Sequence, residues 1–145
     1  MKKNFKWVDN YKTINWQDLS HLYSIAPLGD KPAEMLQTAF TNSAFTHFVY
    51  DDTLLIGVGR ALADGVDSAY LCDIAIHPDY QGMGLGKAIT QKLLDSLKGY
   101  NKIILFANIG KESFYEKLGF SKMTTAMAIF KHQHIAIQKG LVKEL

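Results

Sequence analysis

Hydrophobic and polar positions change their period along the chain, and each period predicts an element. Tyr70–Ile76 is a short apolar run rich in β-forming residues, and Pro78 ends it because proline has no N–H to give to a sheet. In Gly84–Lys98 the apolar residues fall at i, i+4 steps, while polar residues line another face. The middle of the chain therefore predicts a strand, a glycine-rich turn and an amphipathic helix.

The N-terminal third predicts one strand followed by two helices. Lys3–Val8 alternates as a strand does, and a helix over Trp16–Ser24 follows it with Asn15 as its N-cap. A second helix, capped by Asp30, is expected to run to about Asn42. The positions that this helix should bury are Met35, Leu36, Ala39 and Phe40.

Three further strands are expected beside the central one. Phe45–Tyr50 and Leu54–Leu62 should form an antiparallel hairpin, and Gly57 and Gly59 within it indicate bends or a close approach of another element. A strand is expected over Lys102–Ala107, because Ile103–Phe106 is a continuous apolar run of the kind that is typical of a strand buried on both faces. With the preceding helix, this strand predicts a parallel crossover unit.

The C-terminal part predicts a short helix and a final strand. The helix covers Glu112–Leu118, and Gly119 follows it where a C′ glycine belongs. Lys122–Lys131 is strand-like, and the tail from His132 to Leu145 suits either a strand or a short helix. This order of strands and helices predicts an α+β fold.

Composition limits the classes of function. A chain of 145 residues predicts a single domain, 1–145, and a net charge of +2 is too small to indicate nucleic acid or a membrane as a partner. No apolar run approaches the roughly 18 residues of a membrane span. One cysteine excludes an internal disulfide, and no histidine spacing predicts a metal site. We expect a cytoplasmic, reducing location.

The turn at Gln81–Gly86 carries the clearest chemical signal. Its glycines let the backbone approach a ligand, and the N–H groups that begin the next helix attract phosphate. The glycines run G-x-G-x-G, whereas a dinucleotide fingerprint needs G-x-G-x-x-G. A nucleotide P-loop needs Ser or Thr after its lysine, but Ala88 follows Lys87.

Two motifs resemble those of the GNAT acetyltransferases. Gln81-x-x-Gly84-x-Gly86 is similar to the Q/R-x-x-G-x-G/A motif of that family. Asn108–Phe120 resembles the N-x-x-A-x-x-x-Y-x-x-x-G-F segment, although Lys111 stands where a small residue is usual. The resemblance covers essentially the whole chain. It implies a mixed, mostly antiparallel sheet that is split around the fourth strand and flanked by about four helices.

The resemblance also implies acetyl-CoA as the cofactor and assigns the residues that hold it. Loop amides would bind the pyrophosphate, and the strand before the loop would pair with the pantetheine arm. The residues assigned to coenzyme A are Ile74, Ala75, Ile76, Gln81, Gly82, Met83, Gly84, Leu85, Gly86, Lys87, Asn108, Ser113 and Tyr115. Tyr115 is expected to be catalytic, because a phenol with a pKa near 10 can donate a proton to the leaving thiolate.

The residues that meet the amine are assigned partly from chemistry and partly from the resemblance. Asp73 is the catalytic candidate that orients or deprotonates the amine, with a purely structural carboxylate as the equal alternative. Arg60 either binds a substrate carboxylate or pairs with Asp64 or Asp51. The residues expected to bind the acceptor are Leu28, Phe40, Asn42, Phe45, Arg60, Asp64 and Asp73.

Two reactive residue types near the loop are expected to be structural. Cys72 lies on a predicted strand without a partnered histidine, so a buried, inert thiol is expected. His77 adjoins the proline that ends this strand and has no predicted catalytic duty.

These expectations describe an acetyl-CoA-dependent N-acetyltransferase that acts on a primary amine of a small molecule, such as an amino acid, an amino sugar or an arylalkylamine. Direct transfer in a ternary complex is expected, because no activated nucleophile is visible. A homodimer is expected from the apolar C-terminal segment and the family. The alternatives are a peptide or protein N-acetyltransferase and a non-catalytic acyl-CoA-binding regulatory domain.

Overall fold

A computed structural model describes residues 4–144 and divides into two compact units, one that ends at Leu105 and one that begins at Phe106. Each unit is an arrangement of its own elements, and the single domain expected over 1–145 stays a prediction. Lys3, where the first strand was expected to begin, and Leu145, the end of the tail, lie outside the described residues.

The first unit is built on a five-stranded sheet whose strands lie side by side in chain order. All neighbours are antiparallel except the last pair, which is parallel and confirms the predicted crossover. The strands are β1 (Lys6–Val8), β2 (Phe45–Asp51), β3 (Leu54–Ala63), β4 (Ser68–Ile76) and β5 (Lys102–Ile104). The mixed, mostly antiparallel sheet of the predicted α+β fold is therefore confirmed.

Three α-helices belong to this unit: α1 (Trp16–Ile25), α2 (Ala33–Thr41) and α3 (Leu85–Ser96). Asn15 caps α1 as predicted, since its side-chain oxygen accepts the N–H groups of Gln17 and Asp18, both at 3.0 Å. The expected cap of α2 by Asp30 is wrong. This helix begins only at Ala33, after an extended Pro32, so Asp30 is too far from its first amides to cap them.

Helices α1 and α2 cover one face of the sheet and form the main core. The buried members of this core are Leu19, Leu22, Tyr23, Ala26, Leu36, Phe40, Phe48, Leu55, Val58 and Ala75. Burial of Leu36 and Phe40 was predicted, but Met35 is 49% exposed, because the helix turns that side chain towards water. Helix α3 packs on the opposite face, where a Cβ on Gly59 would lie only 2.6 Å from Ile89. The predicted close approach at this glycine is confirmed.

Strand β4 carries a bulge where the sheet splits. Val58 pairs with Ala75 and Arg60 with Cys72, so β4 has one residue more than β3 between these pairs. Asp73 lies in this extra stretch with a φ of 57°, which is rare for a residue other than glycine. Strand β5 pairs only with Ser68–Tyr70, so within residues 4–144 the second half of β4 has β3 alone as a neighbour. The predicted split around the fourth strand is present.

The second unit contains α4 (Glu112–Glu116) and α5 (Gln133–Gln138). The C′ role of Gly119 is confirmed by its φ of 102° and by the bond from the Phe120 N–H to the Tyr115 carbonyl, 3.1 Å long. Helix α5 settles the open choice for the tail in favour of a short helix.

Two strand predictions are wrong at this end of the chain. Lys122–Lys131 has no strand structure, and Met127 and Ile129 are 96% and 99% exposed. An apolar segment becomes a strand only where a neighbour takes its N–H and C=O groups, and no strand within residues 4–144 pairs with this segment. The strand expected over Lys102–Ala107 ends at Ile104; Lys102 is exposed, and Ile103 and Ile104 are only partly buried.

The longest α-helix, α3, has twelve residues. Among the helices of the described chain, none combines the length and the apolar composition that a bilayer span needs.

Candidate active site

The loop between β4 and α3 is fastened by local hydrogen bonds. The His77 N–H donates to the Ile56 carbonyl at 2.7 Å, and its Nδ1 accepts the Asp79 N–H at 3.1 Å, which caps a single 3-10 turn over Pro78–Tyr80. His77 therefore has the structural role expected of it. Gln81 donates from Nε2 to the Ile76 carbonyl at 3.3 Å and so ties the start of the loop to the end of β4.

The glycines of this loop leave an open cradle at the N-terminus of α3. Gly82 and Gly84 have φ values of 78° and 83°, and a Cβ on either would meet nothing within 4 Å. The first helical hydrogen bond runs from the Ala88 N–H to the Gly84 carbonyl. The N–H groups of Leu85–Lys87 therefore have no acceptor among residues 4–144 and point out of the positive end of the helix. Such a cradle binds the phosphate groups of a ligand.

The bulge at Asp73 is held by three neighbours. The Tyr23 hydroxyl donates to the Asp73 carbonyl at 2.6 Å. The Asp73 carboxylate accepts from Arg60 Nε at 2.8 Å and lies 3.7 Å from Lys31 Nζ. Burial, and then the charge of Asp73, raise the pKa of Tyr23 well above its usual value, so the phenol stays a donor at any physiological pH.

Arg60 is paired with Asp73, so the predicted pairing with Asp64 or Asp51 is wrong, and its binding of a substrate carboxylate stays a prediction. One of its terminal nitrogens also donates to Ser43 Oγ at 3.3 Å. The two other candidate partners are occupied elsewhere: Asp51 accepts from the Tyr80 hydroxyl at 2.5 Å, and Asp64 accepts backbone N–H groups in its own turn. Those turn bonds, chiefly the one from residue 67, lower the pKa of Asp64.

Neither side chain that flanks the bulge on β4 offers a nucleophile. Burial raises the pKa of the Cys72 thiol to about 11, so the thiolate is scarce near neutral pH. Burial also raises the pKa of Tyr70 to about 12. The thiol expected to be buried is only partly buried, and its raised pKa agrees with the expected lack of reactivity.

In the second unit, Ser113 and Tyr115 lie in α4, and Asn108 precedes the helix. The Lys111 N–H donates to the Asn108 carbonyl at 2.9 Å, so the turn before the helix forms despite the lysine at the position usually held by a small residue. The Tyr115 ring packs against Phe114 and Phe120, with centroids 5.0 and 5.9 Å away. Burial raises the pKa of this phenol, so it holds its proton at pH 7.

The residues expected to contact the acceptor fall into two groups. Phe40 is fully buried and Leu28 packs against the core, so both contribute to the packing below the surface of the site. Asn42 and Asp64 are exposed, and Phe45 is partly buried. Their roles in binding the acceptor stay predictions, as do the catalytic roles of Asp73 and Tyr115 and the cofactor contacts of the loop.

Three residues of this region were not found from the sequence: Tyr23, Lys31 and Ser43. They lie on α1, before α2 and after α2, and they reach Asp73 or Arg60 only through the fold. No spacing in the sequence links a tyrosine to a carbonyl fifty residues away. The one available signal is the spacing of Tyr23 with Leu19 and Leu22 along α1, which indicates an inward ring but not the bond.

Comparisons with known sequences identify the family. The sequence model of the acetyltransferase (GNAT) family matches residues 8–120. An uncharacterized N-acetyltransferase, ycf52, of Porphyra purpurea is 34% identical over 122 residues, which cover 80% of this chain and 70% of the relative. The GCN5-related N-acetyltransferase 2, chloroplastic, of Arabidopsis thaliana is 43% identical over 68 residues, which cover 46% of this chain and 26% of the relative.

Solved structures share the fold. The probable acetyltransferase SA2161 of meticillin-resistant Staphylococcus aureus superposes with a TM-score of 0.79 at 26% identity, over 88% of this chain and 98% of that one. Glucosamine-6-phosphate N-acetyltransferase of Arabidopsis thaliana shows the fold alone, with a TM-score of 0.66 at 18% identity, over 88% and 99% of the two chains.

A mixed sheet split at its fourth strand and a glycine-rich turn at a helix start occur together here with the match to the acetyltransferase family. The chain belongs to the GNAT acetyltransferase family and is an N-acetyltransferase of the GNAT type. The family resemblance expected from the two motifs is confirmed.

Proposed function

We propose that this protein transfers the acetyl group of acetyl-CoA to a primary amine of a small molecule. The observation that carries the proposal is the open amide cradle over residues 83–87, which directly follows the bulged strand β4. Enzymes of the GNAT family use acetyl-CoA, and the cradle offers unpaired N–H groups suited to its pyrophosphate. The exposed Lys87 adds a positive charge beside them.

The chain's own residues supply the remaining chemistry. Acetyl-CoA contributes an activated thioester. Beyond Tyr70, β4 lacks a strand neighbour on one side within residues 4–144, so an extended ligand can pair there as in strand addition, although the Asp73 and Ile76 carbonyls already accept hydrogen bonds. Tyr115, held protonated by burial, is the candidate donor to the leaving thiolate. Asp73, at the bulge, is the candidate that orients the ammonium of the acceptor, and Arg60 and Lys31 hold its carboxylate in position.

Direct transfer to the amine follows from the absence of an activated nucleophile at the bulge. The thiol of Cys72 is protonated at neutral pH, so an acetyl-enzyme on this residue is not expected. The acceptor amine must lose a proton before it attacks, and a water chain or Asp73 would receive it.

The experiment that tests this proposal measures acetyl-CoA binding and then the release of free CoA thiol. Acetyl-CoA at a hundred times its Kd should stabilise the protein by about 2.7 kcal/mol and raise its melting temperature. Release of thiol across a panel of amines and peptides then tests transfer. No shift at millimolar acetyl-CoA would refute the proposal, and turnover with peptides but not free amines would favour a peptide acetyltransferase.

A matched pair of glycine variants locates the cofactor. Gly84→Ala and Gly99→Ala introduce a Cβ at φ values of 83° and 89°, and neither Cβ would meet an atom within 4 Å. Both should therefore cost about 1–2 kcal/mol of backbone strain. Only Gly84→Ala places its methyl group in the cradle and should weaken acetyl-CoA binding, by roughly tenfold or more. Equal affinities in the two variants would remove the cradle from the cofactor site.

The expected cytoplasmic location and the homodimer also stay proposals. Light scattering of the purified protein measures the mass in solution and tests the dimer directly.

A further inference from the structure

A charged cluster of three residues lies at the bulge of β4. Asp73 contacts Arg60 at 2.8 Å and Lys31 at 3.7 Å, so two cations share one carboxylate and one positive charge is left over. The side chains of Lys31, Arg60 and Asp73 are 23%, 14% and 19% exposed. Partial withdrawal from water strengthens the attraction that this surplus charge exerts on an anion.

Arg60 has further N–H groups that can donate to such an anion. A guanidinium carries five N–H groups. Nε donates to Asp73 and one terminal nitrogen to Ser43, and no further acceptor is found within residues 4–144. Because no buried side-chain nitrogen of the described chain lacks a partner, the remaining N–H groups reach the surface of the site. A guanidinium with free N–H groups can bind a carboxylate or a phosphate bidentately.

Two aromatic rings hold the cations in place. Lys31 Nζ lies 5.7 Å from the centroid of the Tyr23 ring, and Arg60 Cζ lies 5.7 Å from that of Phe40. Both rings are fully buried, so they form a rigid floor. Cations ordered in this way lose little freedom when they bind a ligand.

An open pocket of about 330 Å³ adjoins the cluster and shares Lys31 with it. Its lining is Gln17, Ser20, His21, Ser24, Asp30, Lys31 and Pro32. Six of these seven side chains are polar, so the pocket offers hydrogen-bond partners to a hydrophilic molecule. Asp30 places a carboxylate in the same pocket, so both signs of charge are available to a ligand that carries both.

We propose that the acceptor is a hydrophilic amine with an anionic group, a carboxylate or a phosphate, which Arg60 and Lys31 bind. The inference rests on the acetyl transfer proposed above and specifies the acceptor of that reaction. Amino acids and phosphorylated amino sugars have this chemistry. Arylalkylamines and unphosphorylated amino sugars do not.

Matched pairs of acceptors test the inference in the CoA-release assay. Each amino acid is compared with its amide, and each phosphorylated amino sugar with the free amino sugar, so that only the anionic group differs. An arylalkylamine completes the panel. At least one anionic member should have a kcat/KM about tenfold or more above that of its neutral counterpart, as expected for a charge-assisted hydrogen bond. The two kinds of pair show whether a carboxylate or a phosphate is preferred.

The Lys31→Met variant keeps the length of the side chain and removes its charge. The KM for the anionic acceptor should rise by about tenfold more than the KM for its neutral counterpart. Lys98→Met is the control, because Lys98 is exposed and lies after the end of α3. The ratio of the two KM values, not the rate, therefore reports the role of Lys31.

The outcomes separate this inference from the proposed function. Faster turnover of the neutral or aryl members, or an unchanged KM ratio in Lys31→Met, would overturn the inference while acetyl transfer stands. If no amine reacts, the proposed function fails. The same pairs are then titrated into the CoA-bound protein, and an anionic member that raises the melting temperature no more than its neutral partner overturns the inference as well.

Discussion

The bond from Tyr23 to the bulge of β4 can be tested by removing a single oxygen atom. Tyr23 is fully buried, and its hydroxyl donates to the Asp73 carbonyl at 2.6 Å. Tyr23→Phe keeps the ring in the core and deletes only this donor. Asp73 has a φ of 57°, which costs a non-glycine residue roughly 1–2 kcal/mol, so the bulge needs such support.

The expected loss of stability follows from the burial of the bond. A carbonyl left without its partner in a partly buried place costs about 1–3 kcal/mol. For a chain of this length that corresponds to a fall in melting temperature of about 3–9 °C. If the bulge also relaxes, Asp73 and the part of β4 beyond Tyr70 move. Each 1.4 kcal/mol of transition-state stabilisation that is lost lowers kcat about tenfold.

The assay compares thermal melting and CoA release with those of a matched variant. Tyr50 packs against the same core, and its hydroxyl has no hydrogen-bond partner among residues 4–144, so Tyr50→Phe is the control. Tyr23→Phe should be less stable than this control and slower in turnover, with little change in acetyl-CoA affinity. Equal melting temperatures and equal kcat in the two variants would refute the idea that Tyr23 holds the bulge.

Three other predictions address the donor, the packing and the pH dependence. Tyr115→Phe should lower kcat about 10²-fold with acetyl-CoA affinity kept, and an unchanged kcat would remove Tyr115 from the chemistry. Gly59→Ala places a Cβ 2.6 Å from Ile89 and should cost about 1–3 kcal/mol in urea unfolding, which an unchanged midpoint would contradict. Burial is the main cause that lowers the pKa of His47, and the charge of Lys92 lowers it further. The unfolded chain therefore binds more protons than the folded protein below about pH 6.5, so the free energy of unfolding should decrease as the pH is lowered through that range. His47→Gln should make this decrease less steep. An identical pH dependence of the free energy of unfolding in the two proteins would contradict the prediction.

Much of the local structure follows from residues that are neighbours in the chain. The helix capped by Asn15, the glycine cradle before α3 and the C′ glycine at position 119 each depend on a few adjacent residues. Their conformations are decided by φ preferences and by hydrogen bonds across three or four positions. The two motifs that indicated the family lie in such segments.

The predictions that failed depended on what another part of the chain provides. Lys122–Lys131 has the composition of a strand, but no described strand pairs with it. Met35 has the spacing of a buried position, yet it is 49% exposed, because the edge of a helix's buried face depends on what packs against it. Period and propensity describe the segment alone, whereas pairing and burial describe the segment and its neighbour.

The sequence by itself determined the glycine cradle at the start of α3, since its glycines and the first residues of the helix are contiguous. Only the tertiary structure placed Tyr23, Lys31 and Arg60 around Asp73. The bulge that presents Asp73 arises because β4 has one residue more than β3 between two pairs of the register. Such a mismatch is a property of two paired strands. The Tyr23 hydroxyl that stabilises it comes from a helix fifty residues away along the chain. The sequence of β4 alone therefore could not predict it.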